Sequence, residues 1–143
     1  MTLENLLSYI RLKQYDTHAF VAVYNLMLPM IDEQYNDNNA RNLQIMLHKV
    51  WRNYYHMNER YNLPFAIATI LQRINDFGNA LGFYTFATQL YGSNSNTRMN
   101  MAVCHMRLGK RQAALDLITQ LSLELPENDD VKQIKARVEA MPK

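Results

Sequence analysis

Aromatic and basic side chains alternate in the segment HKVWRNYYHMNERYN, residues 48–62. Such a combination can bind nucleic acid, because rings stack on bases while cations contact phosphates, provided that both lie on one surface. Steps of three and four residues instead place one set of residues on a single helical face, which Trp51 and Tyr55 flank: Leu43, Leu47, Val50, Tyr54, Met57 and Tyr61. A different face holds His48, Arg52, His56 and Glu59. The segment is therefore predicted to be a core helix with a solvated basic side.

Residues that could catalyse a reaction or bind a metal are few and scattered. His48 and His56 lie eight residues apart, too far to chelate one ion alone, and no cysteine or carboxylate group accompanies them. Cys104 lies in the apolar stretch AVCHM and is predicted to be a small core residue. The four glycines form no recognised phosphate-binding loop. We therefore predict a protein without enzymatic activity, metal or cofactor.

The composition favours a soluble, all-α protein. Of its 143 residues, 48% are hydrophobic and 20% are charged, as in folded soluble proteins, and four glycines and four prolines supply few turns for a β-sheet fold. A formal charge of +2 is too small to predict a polyanionic partner, and a single cysteine excludes a disulfide-stabilised scaffold. The most apolar stretch, residues 19–31, is too short to span a bilayer, and the N-terminus lacks the order of a signal peptide. A cytoplasmic location without membrane contact is expected.

The N-terminal segment is predicted to form helices of its own. Hydrophobic periodicity predicts a first helix over about Leu3–Lys13, with Asp16 or Thr17 capping the second. Pro29 is expected to kink or end that second helix. The polar segment YNDNNARN, residues 35–42, is predicted to be a turn-rich connection and the best boundary in the chain.

An internal repeat begins near the middle of the chain. Residues 61–94 align without a gap with residues 95–128, at an offset of 34 residues. The alignment pairs Ala68 with Ala102, Ala80 with Ala114, and Leu81 with Leu115. Each copy divides into two amphipathic helices, with a turn at Asn75 in the first copy and at Gly109 in the second. This pattern indicates stacked helical hairpins.

The repeat resembles the tetratricopeptide repeat, a helix-turn-helix unit of about 34 residues. The second copy matches better, at Ala102, Leu108, Gly109, Ala114 and Pro126. The first copy has Asn75 in place of the turn glycine and Gly92 in place of the closing proline. The resemblance implies one helical domain over residues 1–143, in which antiparallel helix-turn-helix repeats form an α-α superhelix. Residues 1–60 would supply extra N-terminal helices, with residues 3–33 as a possible degenerate repeat.

The last segment, residues 129–143, is predicted to cap the array. Asn128 or Asp129 is placed to cap a helix. The apolar stripe of that helix is Val131, Ile134, Val138 and Met141. A stack of repeats needs a terminal helix that covers its last apolar surface and keeps its other face exposed to solvent.

The resemblance also implies a binding surface. In tetratricopeptide arrays the first helix of each unit lines a groove that holds a peptide or helix of a partner. In the first unit the lining residues would be Asn62, Phe65, Ala66, Thr69 and Arg73, and in the second Asn96, Met99, Asn100, Val103 and Arg107. Asparagine amides can bond a peptide backbone, while the apolar side chains add contact area. We predict a non-enzymatic protein–protein interaction module, an adaptor or assembly subunit.

Three alternatives remain open from the sequence. The chain is similar in size to the small tetratricopeptide chaperones of bacterial type III secretion, which suggests a dedicated chaperone. A basic group at Arg107, Lys110 and Arg111, with Arg98 beside it, could recognise an acidic sequence or a nucleic-acid backbone. Nucleic-acid binding would also involve Arg52, although the low net charge argues against it. A homodimer could form through the apolar surface around Trp51 and Tyr55.

Overall fold

The computed structural model describes residues 2–12, 17–52 and 62–143. Helix is the regular secondary structure of these ranges, and they contain no strand. The helices are α1 (Leu3–Leu12), α2 (Thr17–Gln34), α3 (Asp37–Arg52), α4 (Leu63–Arg73), α5 (Phe77–Tyr91), α6 (Ser95–Arg107), α7 (Arg111–Glu124) and α8 (Asp129–Glu139). The predicted all-α fold is confirmed. Asp16 and the aromatic segment from residue 53 to residue 61 lie outside the described residues.

The chain divides into two compact units, Met1–Asn75 and Asp76–Lys143. Unit 1 contains α1 to α4, and unit 2 contains α5 to α8. The division falls in the turn between α4 and α5, inside the first predicted repeat. The organisation of residues 1–143 as one domain stays a prediction.

In unit 1, helices α1 and α4 each pack against both α2 and α3. The predicted stripe of α1 is fully inside the core: Leu3, Leu6, Leu7 and Ile10. Helix α2 contributes Phe20, Met27 and Ile31, and α3 contributes Leu43, Leu47 and Val50. Each such side chain contributes about 1.5–3 kcal/mol on burial, so packing of these faces holds the unit together.

Helix α2 continues past Pro29 to Gln34, so the proline does not end the helix, and the alternative expectation of a kink stays a prediction. Proline removes one backbone hydrogen bond from a helix interior. Met27 and Ile31, on either side of the exposed Pro29, are both buried in unit 1. Packing of that face offsets the lost hydrogen bond and keeps the helix continuous.

The polar segment 35–42 is mostly the first part of α3, because the helix begins at Asp37. The backbone N–H of Asn39 donates to Oδ1 of Asn36 over 3.2 Å, and the N–H of Asn36 donates to Oδ1 of Asn39 over 3.0 Å. This reciprocal pair is a capping box with asparagine at both positions. Asparagine favours turns and helix starts alike, which is why the sequence pattern predicted a longer connection.

In unit 2, each helix packs on the next one along the chain, and α6 also contacts α8. Two apolar clusters join α6, α7 and α8. The first contains Ala102, Ile118, Leu121 and Val131, and the second contains Met106, Ala114 and Val138. Burial of Val131 and Val138 confirms the predicted apolar stripe of α8.

The 34-residue register of the sequence is visible in the backbone. Asn75 and Gly109 both adopt positive φ angles, of 64° and 76°, after α4 and α6. The paired alanines at positions 68, 102, 80 and 114 are all fully buried. Asparagine tolerates this left-handed conformation better than most residues, so Asn75 performs the role of the turn glycine.

Candidate functional site

The first predicted set of binding residues lies on α4 in unit 1, and we refer to Asn62, Phe65, Thr69 and Arg73 as the α4 face. Asn62 is the N-cap of α4, and its Oδ1 accepts a hydrogen bond of 3.2 Å from the backbone N–H of Phe65. Ala66, which was also predicted to line the groove, is buried instead. Phe65 is half-buried.

Two polar residues of the α4 face hold helix α2. The hydroxyl of Thr69 is hydrogen-bonded to the Tyr24 hydroxyl and also donates to the carbonyl of Ala66 over 2.8 Å. The guanidinium of Arg73 forms an ion pair with Asp32. Because both side chains of that pair are well exposed, it contributes only about 0–1 kcal/mol. The polar groups of the α4 face therefore already have partners inside unit 1.

The second predicted set lies on α6 in unit 2, and we refer to Asn96, Met99, Asn100, Val103 and Arg107 as the α6 face. Helix α6 starts at its N-cap Asn94, whose Oδ1 accepts from the N–H of Thr97 over 2.9 Å. Asn96 is exposed and Asn100 is half-buried. Neither of these two amides makes a hydrogen bond to any residue that the structure describes. Their donors and acceptors are open to a partner.

The remaining residues of the α6 face have apolar contacts. Met99 packs against the first cluster and Val103 against the second, and both are half-buried. The guanidinium carbon of Arg107 lies 4.9 Å from the ring centroid of Phe77 in α5. That cation–π contact contributes about 0.5–1 kcal/mol at an exposed site. The α6 face thus combines free amides and a cation with a partly buried apolar edge.

The predicted basic group does not come together as one set. Arg98, near the other end of α6, makes a bidentate ion pair with Glu124. This contact lowers the pKa of the Glu124 carboxyl. Arg107, Lys110 and Arg111 lie around the α6–α7 turn. Lys110 is the N-cap of α7 and makes no side-chain capping bond.

Two potentially reactive side chains, Cys104 and His105, are neighbours on α6. Burial raises the pKa of the Cys104 thiol to about 12, so this core residue stays protonated at neutral pH. Burial, and secondarily the charge of Lys110, lower the pKa of His105. Within residues 2–12, 17–52 and 62–143 there is no group of three or more potential metal ligands. None of the helices in those ranges has the length and apolar character needed to cross a membrane.

Most of unit 2 is similar to a known family of helical repeats. The family model described as "Tetratricopeptide repeat" matches residues 75–138, from the turn before α5 almost to the end of α8. Neither the curated proteins nor the solved structures gave a match. The match confirms the predicted resemblance over this stretch. Repeats of this kind serve in general for protein–protein interaction and are in general not enzymes.

Proposed function

We propose that unit 2, most of which matches the tetratricopeptide-repeat model, binds another protein through the α6 face. The chain would act as a non-enzymatic adaptor or assembly subunit, and the bound element would be an extended segment or an amphipathic helix. The matched family supports a protein partner, since interaction with proteins is the general role of such repeats.

The observation that carries the proposal is the pair of amides on α6 that have no hydrogen-bond partner in the described part of the chain. Asn96 and Asn100 each offer two donors and one acceptor, the same groups that a peptide backbone needs. Each hydrogen bond gained would contribute about 0.5–1.5 kcal/mol. Met99 and Val103 add an apolar edge beside them.

Polar residues of the α4 face already have partners, and this difference favours the α6 face as the binding surface. Thr69 and Arg73 already bind Tyr24 and Asp32 of α2, so a partner on α4 would have to compete with contacts inside unit 1. We therefore expect the α6 face to supply most of the affinity. A binding role for the α4 face stays a prediction.

The adaptor and the dedicated chaperone differ in the state of the bound protein. An adaptor binds a folded partner at fixed stoichiometry, whereas a dedicated chaperone binds its client before the client folds. The two are separated by asking whether the captured protein, once released, is folded and can rebind.

The proposal is tested by capture from the source cell with the full chain as bait, at low and high salt. A protein partner held by amides and apolar contacts is expected to stay bound at high salt, because such contacts are weakly screened. The double variant Asn96→Ala and Asn100→Ala should release that protein. A matched control, Gln89→Ala and Gln120→Ala, changes two exposed amides on α5 and α7 and should retain it. Equal capture by both variants would exclude the α6 face.

A further inference from the structure

One end of unit 2 concentrates positive charge. Arg107, Lys110 and Arg111 lie within a span of five residues at the α6–α7 turn. Arg137 of α8 is exposed and follows the packing of its neighbour Val138, which lies with Met106 and Ala114 in the second cluster, and we infer that it lies beside that turn. We refer to Arg107, Lys110, Arg111 and Arg137 as the cation patch.

The cation patch is unusual in unit 2 because its charges are not paired. Its four side chains form no ion pair with any described residue. Three other cations of the unit are paired: Arg98 with Glu124, Lys132 with Glu127, and Lys135 with Glu139. Uncompensated positive charge is therefore concentrated at the α6–α7 end.

Three carboxylates of unit 2 have hydrogen-bond or ion-pair partners outside the cation patch. Asp76 accepts a hydrogen bond of 2.8 Å from the side chain of Asn79. Asp116 accepts one of 2.7 Å from Gln112. Glu139 lies 3.8 Å from the ammonium of Lys135. None of these partners is a cation of the patch, so the patch is available to an acidic group supplied from outside.

We propose that the cation patch binds an acidic segment of the partner protein, one that presents several Asp or Glu residues in succession. This inference rests on the proposed function, since Arg107 belongs to both the α6 face and the cation patch. Three of the four cations are arginines, whose planar guanidinium donates two parallel hydrogen bonds to a carboxylate. A segment that follows α6 would place its acidic residues at the C-terminal end of that helix.

The chemistry of the patch favours a peptide over a nucleic acid. Binding to single strands relies on exposed aromatic rings on which bases stack. The ring beside the patch is Phe77, and the Arg107 guanidinium occupies one of its faces. With a net charge of +2 for the whole chain, the long-range attraction to a polyanion is also small.

The test uses the full chain and a fluorescein-labelled peptide of glutamates followed by leucines, with binding followed by fluorescence anisotropy. The double variant Lys110→Gln and Arg111→Gln should weaken binding roughly tenfold or more, because two charge-assisted contacts are lost. A second double variant, Arg107→Gln and Arg137→Gln, should do the same and covers the case in which the first variant fails to fold. The matched control is Lys132→Gln with Lys135→Gln, which changes the net charge equally at paired positions.

Each outcome decides the proposal. The proposal is supported if the patch variants lose binding of the glutamate peptide while the control variant retains it. It is also supported if a peptide with glutamine in place of glutamate does not bind. Equal loss in patch and control variants would overturn it, because binding would then depend on net charge alone. Tighter binding of a single-stranded oligonucleotide of equal charge would overturn it in favour of nucleic acid.

Failure of this inference can be told apart from failure of the proposed function. If the protein captured at low salt is released by Asn96→Ala with Asn100→Ala but kept by both patch variants, the α6 face stands and the acidic partner is excluded. If all variants retain the captured protein while the glutamate peptide still binds at the patch, only the proposed function is contradicted.

Discussion

Helices α4 and α6 occupy equivalent positions in the 34-residue register, yet their polar residues have different uses. On α4, Thr69 and Arg73 are bound by Tyr24 and Asp32 of α2, within unit 1. On α6, their equivalents are Val103, which packs on the second cluster, and Arg107, which lies over Phe77. The open amides of α6 lie at other positions of the register: Asn96 is equivalent to Asn62, which caps α4, and Asn100 is equivalent to the buried Ala66.

This difference shows that a repeat pattern predicts where a residue lies on a helix, but not whether its side chain is available to a partner. Extra helices decide availability, and α2 is such a helix for α4. The amides of Asn96 and Asn100 have no such partner among the described residues, and we base the functional proposal on them.

The largest effect should come from the small residues that the two helices share. Ala102→Leu overfills the first cluster, and Ala68→Leu overfills the equivalent buried position of α4. Each should lower the free energy of unfolding by about 1–3 kcal/mol, measured by denaturant unfolding. The control is Ala136→Leu at an exposed position of α8. If Ala102→Leu behaved like the control, the repeat register would be wrong.

The next effect concerns the helix starts after the two turns. Asp76 and Lys110 are equivalent N-caps with nearly equal backbone angles (φ −89°, ψ 70° and φ −92°, ψ 75°), but only Asp76 makes a side-chain capping bond. Lys110→Asp should raise the free energy of unfolding by about 0.5–2 kcal/mol, because it caps α7 and removes a cation from the positive helix end. Lys110→Gln separates the charge effect from capping. A Lys110→Asp variant no more stable than Lys110→Gln would rule out the capping explanation.

A smaller effect is expected from the hydrogen bond that holds α2 on α4. Thr69→Val should destabilise unit 1 by about 1 kcal/mol, because it leaves the Tyr24 hydroxyl without this partner. Adding Tyr24→Phe should recover part of the loss, which a double-mutant cycle measures. Additive losses in the cycle would show that the two side chains are not coupled.

The smallest effect is on the titration of His105. Its pKa is lowered in the folded state, so the unfolded chain binds the proton more readily, and stability should decrease as the pH falls below about 6.5. Burial is the main cause and the charge of Lys110 the second. Lys110→Gln should therefore raise the His105 pKa slightly, as followed by NMR titration of the ring. An unchanged or lower value would contradict the electrostatic contribution of Lys110.

Periodic features of the fold could be predicted from the sequence. The apolar stripe of α1 and the 34-residue register are local patterns, and burial of Ala68 and Ala102 follows the register. The start of α3 is harder to predict from the sequence, because an asparagine-rich stretch is compatible with both a turn and a capping box.

The contacts that decide the candidate site could not be predicted in this way. Tyr24 and Thr69 are 45 residues apart, and no periodicity links them. Closeness in sequence groups Arg98 with Arg107, whereas the ion pair that occupies Arg98 is with Glu124, 26 residues away. Arg137 joins the cation patch only through the packing of α8, which leaves no local signal in the sequence.

The central claim is that the α6 face, and not the α4 face, supplies the binding energy. It is tested most directly by comparing, at equal bait concentration and high salt, how much of the captured protein two double variants retain. Asn96→Ala with Asn100→Ala should lose most of it, while Thr69→Val with Arg73→Gln should retain it once both variants are shown to be folded. Retention by the α6 variant together with loss from the α4 variant would contradict the claim.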